Sequence, residues 1–337
     1  MGHSVTVSPD MSVRALLEQV GILVPGETPP HFELFLSQAD AVWDELRSMI
    51  AASEVPADRG VEFQQLLVDI AARIMSHPVI AGNNYLRRFA QGVTEAQARM
   101  ECQQFSIFAL QFDVAQAKLV ANAPTEEAYR ERLNVLLNEK GIPYRDGFEG
   151  ELTGRWSNDT VHFTWMLKMG EGLGLPFEKI AKIWLALPGT KAFVDATFEN
   201  YAAVDPSIAC GATFAIENWA ANSLWKPWIA GMQKFNALRP AREQVDLGYL
   251  KYHDLEEQHH SQATLDELLE SFVEEWFNSA RFLEGAERML TDGVQAYYES
   301  QLEALPDKDD SWPADATAPR RFDPADVPRL ETATVPA

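Results

Sequence analysis

The sequence predicts an all-α protein, and three observations carry that prediction. Apolar residues recur at helical spacing along most of the 337 positions. Strict apolar/polar alternation is confined to Ser4–Ser8, too short to argue for a sheet. Pro, Gly and cap-forming residues punctuate the chain at helix-length intervals. A hydrophobic content of 46% and an aromatic content of 10% fit a globular chain able to bury one large core or two small ones. No repeat of fixed period is present. The chain divides into an N-terminal extension over 1–30, one helical domain over 31–305, and a Pro-rich tail over 306–337.

Val13 to Val20 fits a short helix, and Pro25, Pro29 and Pro30 then break the chain. The stripe Phe35, Ala39, Val42, Leu46 and Ile50 marks the first long helix. A second runs from Val61 to Met75, and a short one fits Asn83 to Ala90. Thr94 to Val120 is apolar on several faces, as a buried central helix must be. Thr125 caps the next helix, which runs to Glu139 and stops at Gly141. Ile142 to Ser157 reads as a loop. Asn158 or Asp159 can cap the helix carrying His162. Further helices are expected from Pro176 to Leu187, from Thr190 to Ala203, and from Pro206 through Glu217, with Pro227 breaking or restarting the last. A helical run begins near Tyr249. Thr264-Leu265-Asp266-Glu267 has the form of a capping box, so a fresh helix is expected there, continuing towards Leu302. Beyond Pro306 the chain is polar and Pro-rich, and reads as disordered or draped over the surface.

The formal net charge of −22 argues against nucleic acid and anionic membrane surfaces as partners, since both need basic patches. Cys102 and Cys210 lack neighbours for a disulfide or a thiolate zinc site, and both fit buried, inert thiols. Met1 to Gly26 does not read as a signal peptide, and no apolar run is long enough to span a bilayer. The expected location is cytoplasmic.

The chemistry concentrates in His253-Asp254-Leu255-Glu256-Glu257-Gln258-His259-His260, which holds three of the seven His. His253, Glu257 and His260 are spaced i, i+4, i+7. At ~100° per residue they fall within about 60° of one another on a helix. Two imidazoles and a carboxylate on one face can bind a divalent metal; the alternative is a solvated face on an acidic protein. Glu217 is the one acid in the apolar stretch Ala212–Ala220, where a lone carboxylate is costly unless paired or metal-bound. His162 sits among Phe163, Trp165 and Met166, with Asp159 three residues earlier. Glu139 ends a helix, Glu151 lies in the loop, and Glu101 and Asp113 are acids on the apolar central helix. Trp219, Trp225, Trp228 and Lys226 lie near Glu217 and can line a substrate pocket, although core packing is the commoner role for Trp at helical spacing and a surface position the commoner one for Lys.

This pattern resembles the haem-oxygenase-like non-haem di-iron oxidases and oxygenases, over roughly Thr94 to Leu302. The family pattern is a Glu ahead of a helix-borne His, a second Glu on a later helix, and then His-x-x-x-Asp-x-x-His. Its first Glu matches Glu139, with Glu151 or Asp159 as alternatives because the separation from the His is longer here. The helix-borne His matches His162, followed by Leu167, Gly172, Leu173 and Gly174 as in relatives. The second Glu matches Glu217, and the last motif matches His253, Glu257 and His260, with Glu replacing the usual Asp at 257. The resemblance implies a haem-oxygenase-like helical bundle holding two ferrous ions that activate dioxygen. It further implies a small-molecule substrate in natural-product biosynthesis, with N-oxygenation of an amino-acid-derived amine ahead of oxidative C–C cleavage of a fatty acid or amino acid. An external electron donor and a homodimer are left open. The rival expectations are a metal-free, thiaminase-like enzyme or binding protein of the same fold, using Cys102 or Cys210 as nucleophile, and haem binding through one axial His.

Overall fold

In the computed structural model, residues 4–8, 10–142, 158–320 and 323–332 are described, with the side chains of 256–263 and 332 left out. The first helices are α1 (Val13–Gln19), α2 (Pro30–Ala51), α3 (Asp58–Ile70), α4 (Pro78–Ala81) and α5 (Asn84–Phe89). Then come α6 (Glu95–Ala121), α7 (Glu126–Glu139), α8 (His162–Gly172), α9 (Pro188–Ala196) and α10 (Pro206–Trp219). The chain continues through α11 (Trp225–Ala237), α12 (Gly248–Phe272), α13 (Ser279–Arg288) and α14 (Ala296–Ala304). The expected central helix is α6. It starts with a capping box between Thr94 and Gln97, and it packs against α7, α8 and α9.

Local sequence explains most boundaries. Thr125 accepts from the Ala128 N–H at the start of α7, and Gly141 ends that helix with φ +86°. Four π-helical segments interrupt the described helices: Ala71–Met75, Thr197–Tyr201, Ala220–Leu224 and Met289–Gln295. The third absorbs Pro227. A Pro in the first turn of α11 removes an N–H that a regular helix would have used, and the wider turn before it accommodates the change.

Three expectations fail for physical reasons. Pro176–Leu187 is not a helix but two 3₁₀ turns, Phe177–Lys179 and Ile183–Leu185. Side chains of α6 capture its backbone instead: Gln103 and Gln104 donate to the Lys179 and Leu185 carbonyls, while Ser106 Oγ and Gln104 Oε1 accept from the Ala181 and Leu187 N–H groups. The capping box at Thr264 is not used, and α12 runs straight through it. Leu265, Leu268, Leu269 and Phe272 continue the buried face, and Glu267 reaches across to Arg132 rather than back to the backbone. The next helix starts later, at α13, where Asn278 accepts from the Arg281 N–H. Neither Asn158 nor Asp159 caps α8. They lie in a 3₁₀ turn, Asn158–Thr160, and the N-cap is Val161, without a side-chain hydrogen bond.

The two chain ends meet. Strand β1 (Ser4–Val7) pairs in parallel with β2 (Arg329–Thr332), and Gln65 of α3 accepts from the Leu330 N–H at 2.9 Å. The described tail residues lie against the helices and are pinned where they cross α5. There Trp312 is buried against Tyr85, and the Tyr85 N–H donates to the Ala316 carbonyl. Among the described residues, no helix is long and apolar enough to cross a membrane.

Candidate metal centre

Glu139, His162 and His253 come together from the end of α7, the start of α8 and the second turn of α12. Backbone geometry brings the first two side by side. A Cβ on Gly141 would lie 2.6–2.8 Å from atoms of Thr160, so only Gly lets the end of α7 approach the turn before His162 this closely. Two contacts zip α7 to α12. Arg132 and Glu267 form a buried ion pair at 2.7 Å, and Asn138 Nδ2 donates to the Tyr252 hydroxyl at 3.0 Å.

One ligand atom from each of Glu139, His162 and His253 can be chosen so that all three lie within 4.8 Å of one another. His253 Nδ1 is 2.7 Å from the Tyr249 carbonyl one turn earlier. A carbonyl only accepts, so Nδ1 carries a proton, and Nε2 faces Glu139 Oε1 at 3.6 Å, placed to donate to it when protonated and to bind a metal when not. His162 Nδ1 is buried and 3.0 Å from Glu139 Oε2, yet it is not aligned for a hydrogen bond with any described residue. Burial alone would raise the Glu139 carboxyl, but the adjacent imidazoles outweigh it and hold the group well below the usual carboxylate range. Asp113 on α6 lies behind this group, paired with Lys140, and burial pushes its carboxyl up.

Aromatic rings fix both imidazoles. Trp165 stacks on His162 at 4.9 Å, and Trp225 lies 5.0 Å from His253. A cavity of about 60 Å³ adjoins the group, walled by Phe105, Phe108, Phe112, Trp219 and Trp225, with Glu139, His253 and Glu217 supplying its acids and imidazole. That volume holds only a few water-sized molecules. Glu217 therefore shares the cavity, but it is outside the close three-residue group.

The remaining sequence candidates are placed as follows. Asp159 is exposed, and its backbone carbonyl accepts from Trp165 Nε1 at 2.6 Å. Lys226 is exposed and outside the cavity wall, because helical register turns Trp225 and Trp228 inward and Lys226 out. Trp219 does line the cavity. Glu151 lies outside the described residues. Glu257 and His260 follow His253 on α12 by one and nearly two turns, and their side chains lie outside the description. Sequence reasoning missed the roles of Tyr249, Tyr252 and Trp165. Two of these are aromatics one and four residues before His253, a signal visible in the sequence.

No family model matches the chain, and no curated protein matches its sequence. The fold does have a solved counterpart. A TenA homolog from Pseudomonas syringae pv. tomato superposes with a TM-score of 0.51 at 14% identity, covering 75% of this chain and 95% of that one. The architecture is therefore all-α and similar to the haem-oxygenase-like bundles.

Proposed function

We propose that this chain is a non-haem di-iron enzyme that activates dioxygen to oxidise a small molecule. The observation that supports it is the convergence of Glu139, His162 and His253, from three helices, beside a cavity with aromatic walls. The donor set fits iron: two imidazoles and a carboxylate suit Fe(II) or Mn(II) and leave positions open. The buried Nδ1 of His162 fits as well, since its 3.0 Å contact with Glu139 Oε2 is not aligned as a hydrogen bond. Glu139, His162 and His253 would hold one ion. Glu217, Glu257 and His260 would complete a second site.

Bound iron would supply dioxygen activation, which no protein side chain provides. The protein's own contribution is definite. The Tyr249 carbonyl holds His253 in one tautomer and orientation. Glu139 stays ionised between the imidazoles. Phe105, Phe108, Trp219 and Trp225 keep bulk water from the reacting side. Within this class, the resemblance favours N-oxygenation of an amino-acid-derived amine over oxidative C–C cleavage, and product analysis separates the two.

The thiaminase-like reading gains support from the TenA-like fold but meets an obstacle in the thiols. Cys102 and Cys210 are both buried, and burial pushes Cys102 up to about 12 and Cys210 higher still. A nucleophilic Cys needs an accessible thiolate. Haem, held through one axial His, would leave the convergence of Glu139, His162 and His253 without a purpose.

The test is anaerobic loading with ferrous iron, metal analysis per chain, and addition of dioxygen with spectral recording. Two irons per chain and a transient visible band support the assignment. A protein that takes up no iron overturns it.

A further inference from the structure

Trp219 walls the metal cavity, and it is also the first ring of a chain of aromatics leading away from it. Its centroid is 6.1 Å from Tyr298, Tyr298 is 5.5 Å from Tyr85, and Tyr85 is 5.4 Å from Trp312. The rings come from α10, α14, α5 and the tail, elements remote in sequence. The first three are fully buried, and Trp312 is the outermost at 6% exposure.

A second feature lies against this chain. Glu101 of α6 is fully buried, and the Tyr85 hydroxyl donates to its Oε2 at 2.7 Å. The Tyr297 hydroxyl donates to its Oε1 at 3.1 Å. A carboxylate is costly to bury, and here its hydrogen-bond partners among the described residues are two phenols rather than a cation. Neither Glu101 nor Tyr85 lines the metal cavity, so the function proposed above does not account for them.

We propose that Trp219, Tyr298 and Tyr85 form a one-electron path between the metal cavity and the surface at Trp312, with Glu101 as the base for the Tyr85 phenol. The path rests on the metal reading for its inner oxidant. In the step, Tyr85 loses one electron, relayed by Tyr298 and Trp219 to an oxidised metal centre, which is reduced by one electron. The Tyr85 O–H bond breaks, and its proton passes to Glu101 Oε2. The products are a neutral tyrosyl radical and a neutral Glu101. A soluble one-electron reductant acting at Trp312 then returns the electron, and Glu101 returns the proton.

The local chemistry selects Tyr85 as the resting place, since its hydroxyl is 2.7 Å from the carboxylate against 3.1 Å for Tyr297 and its ring is in contact with Trp312. Oxidised phenols are strongly acidic, so a phenol with a carboxylate at hydrogen-bond distance is the easiest to oxidise. Tyr298 lacks such a partner, since its hydroxyl makes no aligned hydrogen bond among the described residues. The guanidinium of Arg88 lies over Trp312, 4.7 Å from the ring centroid, and a positive charge there disfavours a cation on that ring.

Two measurements test the path, both at pH 8, where Glu101 is ionised. One is freeze-quench electron paramagnetic resonance of the ferrous-loaded protein after dioxygen. The other is flash oxidation of the metal-free protein with a soluble ruthenium polypyridyl photo-oxidant, which enters from the surface. Wild type should give a neutral tyrosyl radical in both. Tyr85→Phe should remove that component, and Glu101→Gln should slow its formation roughly a hundredfold. Trp219→Phe should abolish it in the iron experiment alone. Circular dichroism checks that each variant is folded. A signal that persists in Tyr85→Phe, or a wild-type protein that holds iron yet forms no tyrosyl radical, overturns the path. A protein that takes up no iron removes the metal reading and the path's inner terminus. The flash experiment then still decides whether Tyr85 and Glu101 act as a redox pair.

Discussion

His162 and His253 meet edge to face beside the Glu139 carboxylate, with ring centroids 4.9 Å apart and ring planes at 81°. Two buried imidazoles at this distance would repel if both were protonated, and an ionised Glu139 offsets that only in part. The arrangement is one a cation stabilises. Glu139→Gln keeps the shape and removes the charge, so it should weaken iron binding by about 10- to 100-fold, with helix content unchanged. His253→Ala and Glu217→Ala should also lower iron per chain while leaving the helices in place. Metal analysis beside circular dichroism reads both quantities, and loss of helix would make these side chains structural.

The Arg132–Glu267 pair decides whether α7 and α12 hold Glu139 against His253. Its side chains are 5% and 12% exposed, so removing one partner strands a charge in a dry place. Arg132→Met should cost about 3 kcal/mol. The double variant Arg132→Met with Glu267→Met should recover most of that loss, because no charge is then left behind. Urea unfolding of the four proteins closes the cycle.

How much of this was legible in the sequence follows from the range of the forces involved. His162 and Glu217 stood out as polar residues in apolar helices and His253 by its spacing with Glu257 and His260, whereas Glu139 was reached only through the family resemblance. The all-α class was visible in the same local spacing. Pro176–Leu187 was misread because its hydrogen-bond partners are on α6, far away in the chain. The capping box at Thr264 was a true local signal overruled by burial of Leu265 and Leu268 on the far side of it. Four residues at each end could not announce a parallel pairing, since neither strand shows its partner. The Glu101 network was half-visible: the acid stood out, but its phenol partners come from α5 and α14.

Burial raises Glu101 to about 7, against the hydrogen bonds of Tyr85 and Tyr297, which lower it. The folded protein therefore holds a proton between about pH 4.5 and 7 that the unfolded chain has released. With more protons bound in the folded state, stability falls as pH rises through that window. The total is roughly 3 kcal/mol for one group shifted this far. Glu101→Gln is neutral throughout and lacks this slope. Relative to wild type, the metal-free variant should gain roughly 3 kcal/mol between pH 4 and pH 8 in urea unfolding. Parallel curves for the two proteins would show that burial leaves Glu101 titrating as in the unfolded chain.

The crossing of α10 and α13 sets where Glu217 sits, and it depends on two glycines facing each other's helix. A Cβ on Gly211 would lie 1.8 Å from the Phe282 carbonyl oxygen, and one on Gly285 would lie 2.2 Å from the Ile208 carbonyl oxygen. Both obstacles are backbone, so neither can swing aside. Gly211→Ala and Gly285→Ala should each cost about 3 kcal/mol or more, because the helices must separate. Gly211→Ala should also reduce iron uptake by displacing Glu217, which lies on the same helix. Gly60 in α3 supplies the contrast. A Cβ there meets the end of the Ile50 side chain at 3.2 Å, a contact that a small rotation relieves. Gly60→Ala should therefore be neutral or stabilising by up to about 1 kcal/mol, through helix propensity. Thermal unfolding of the three variants measures the difference, and equal losses in all three would mean that the α10–α13 crossing is not close-packed.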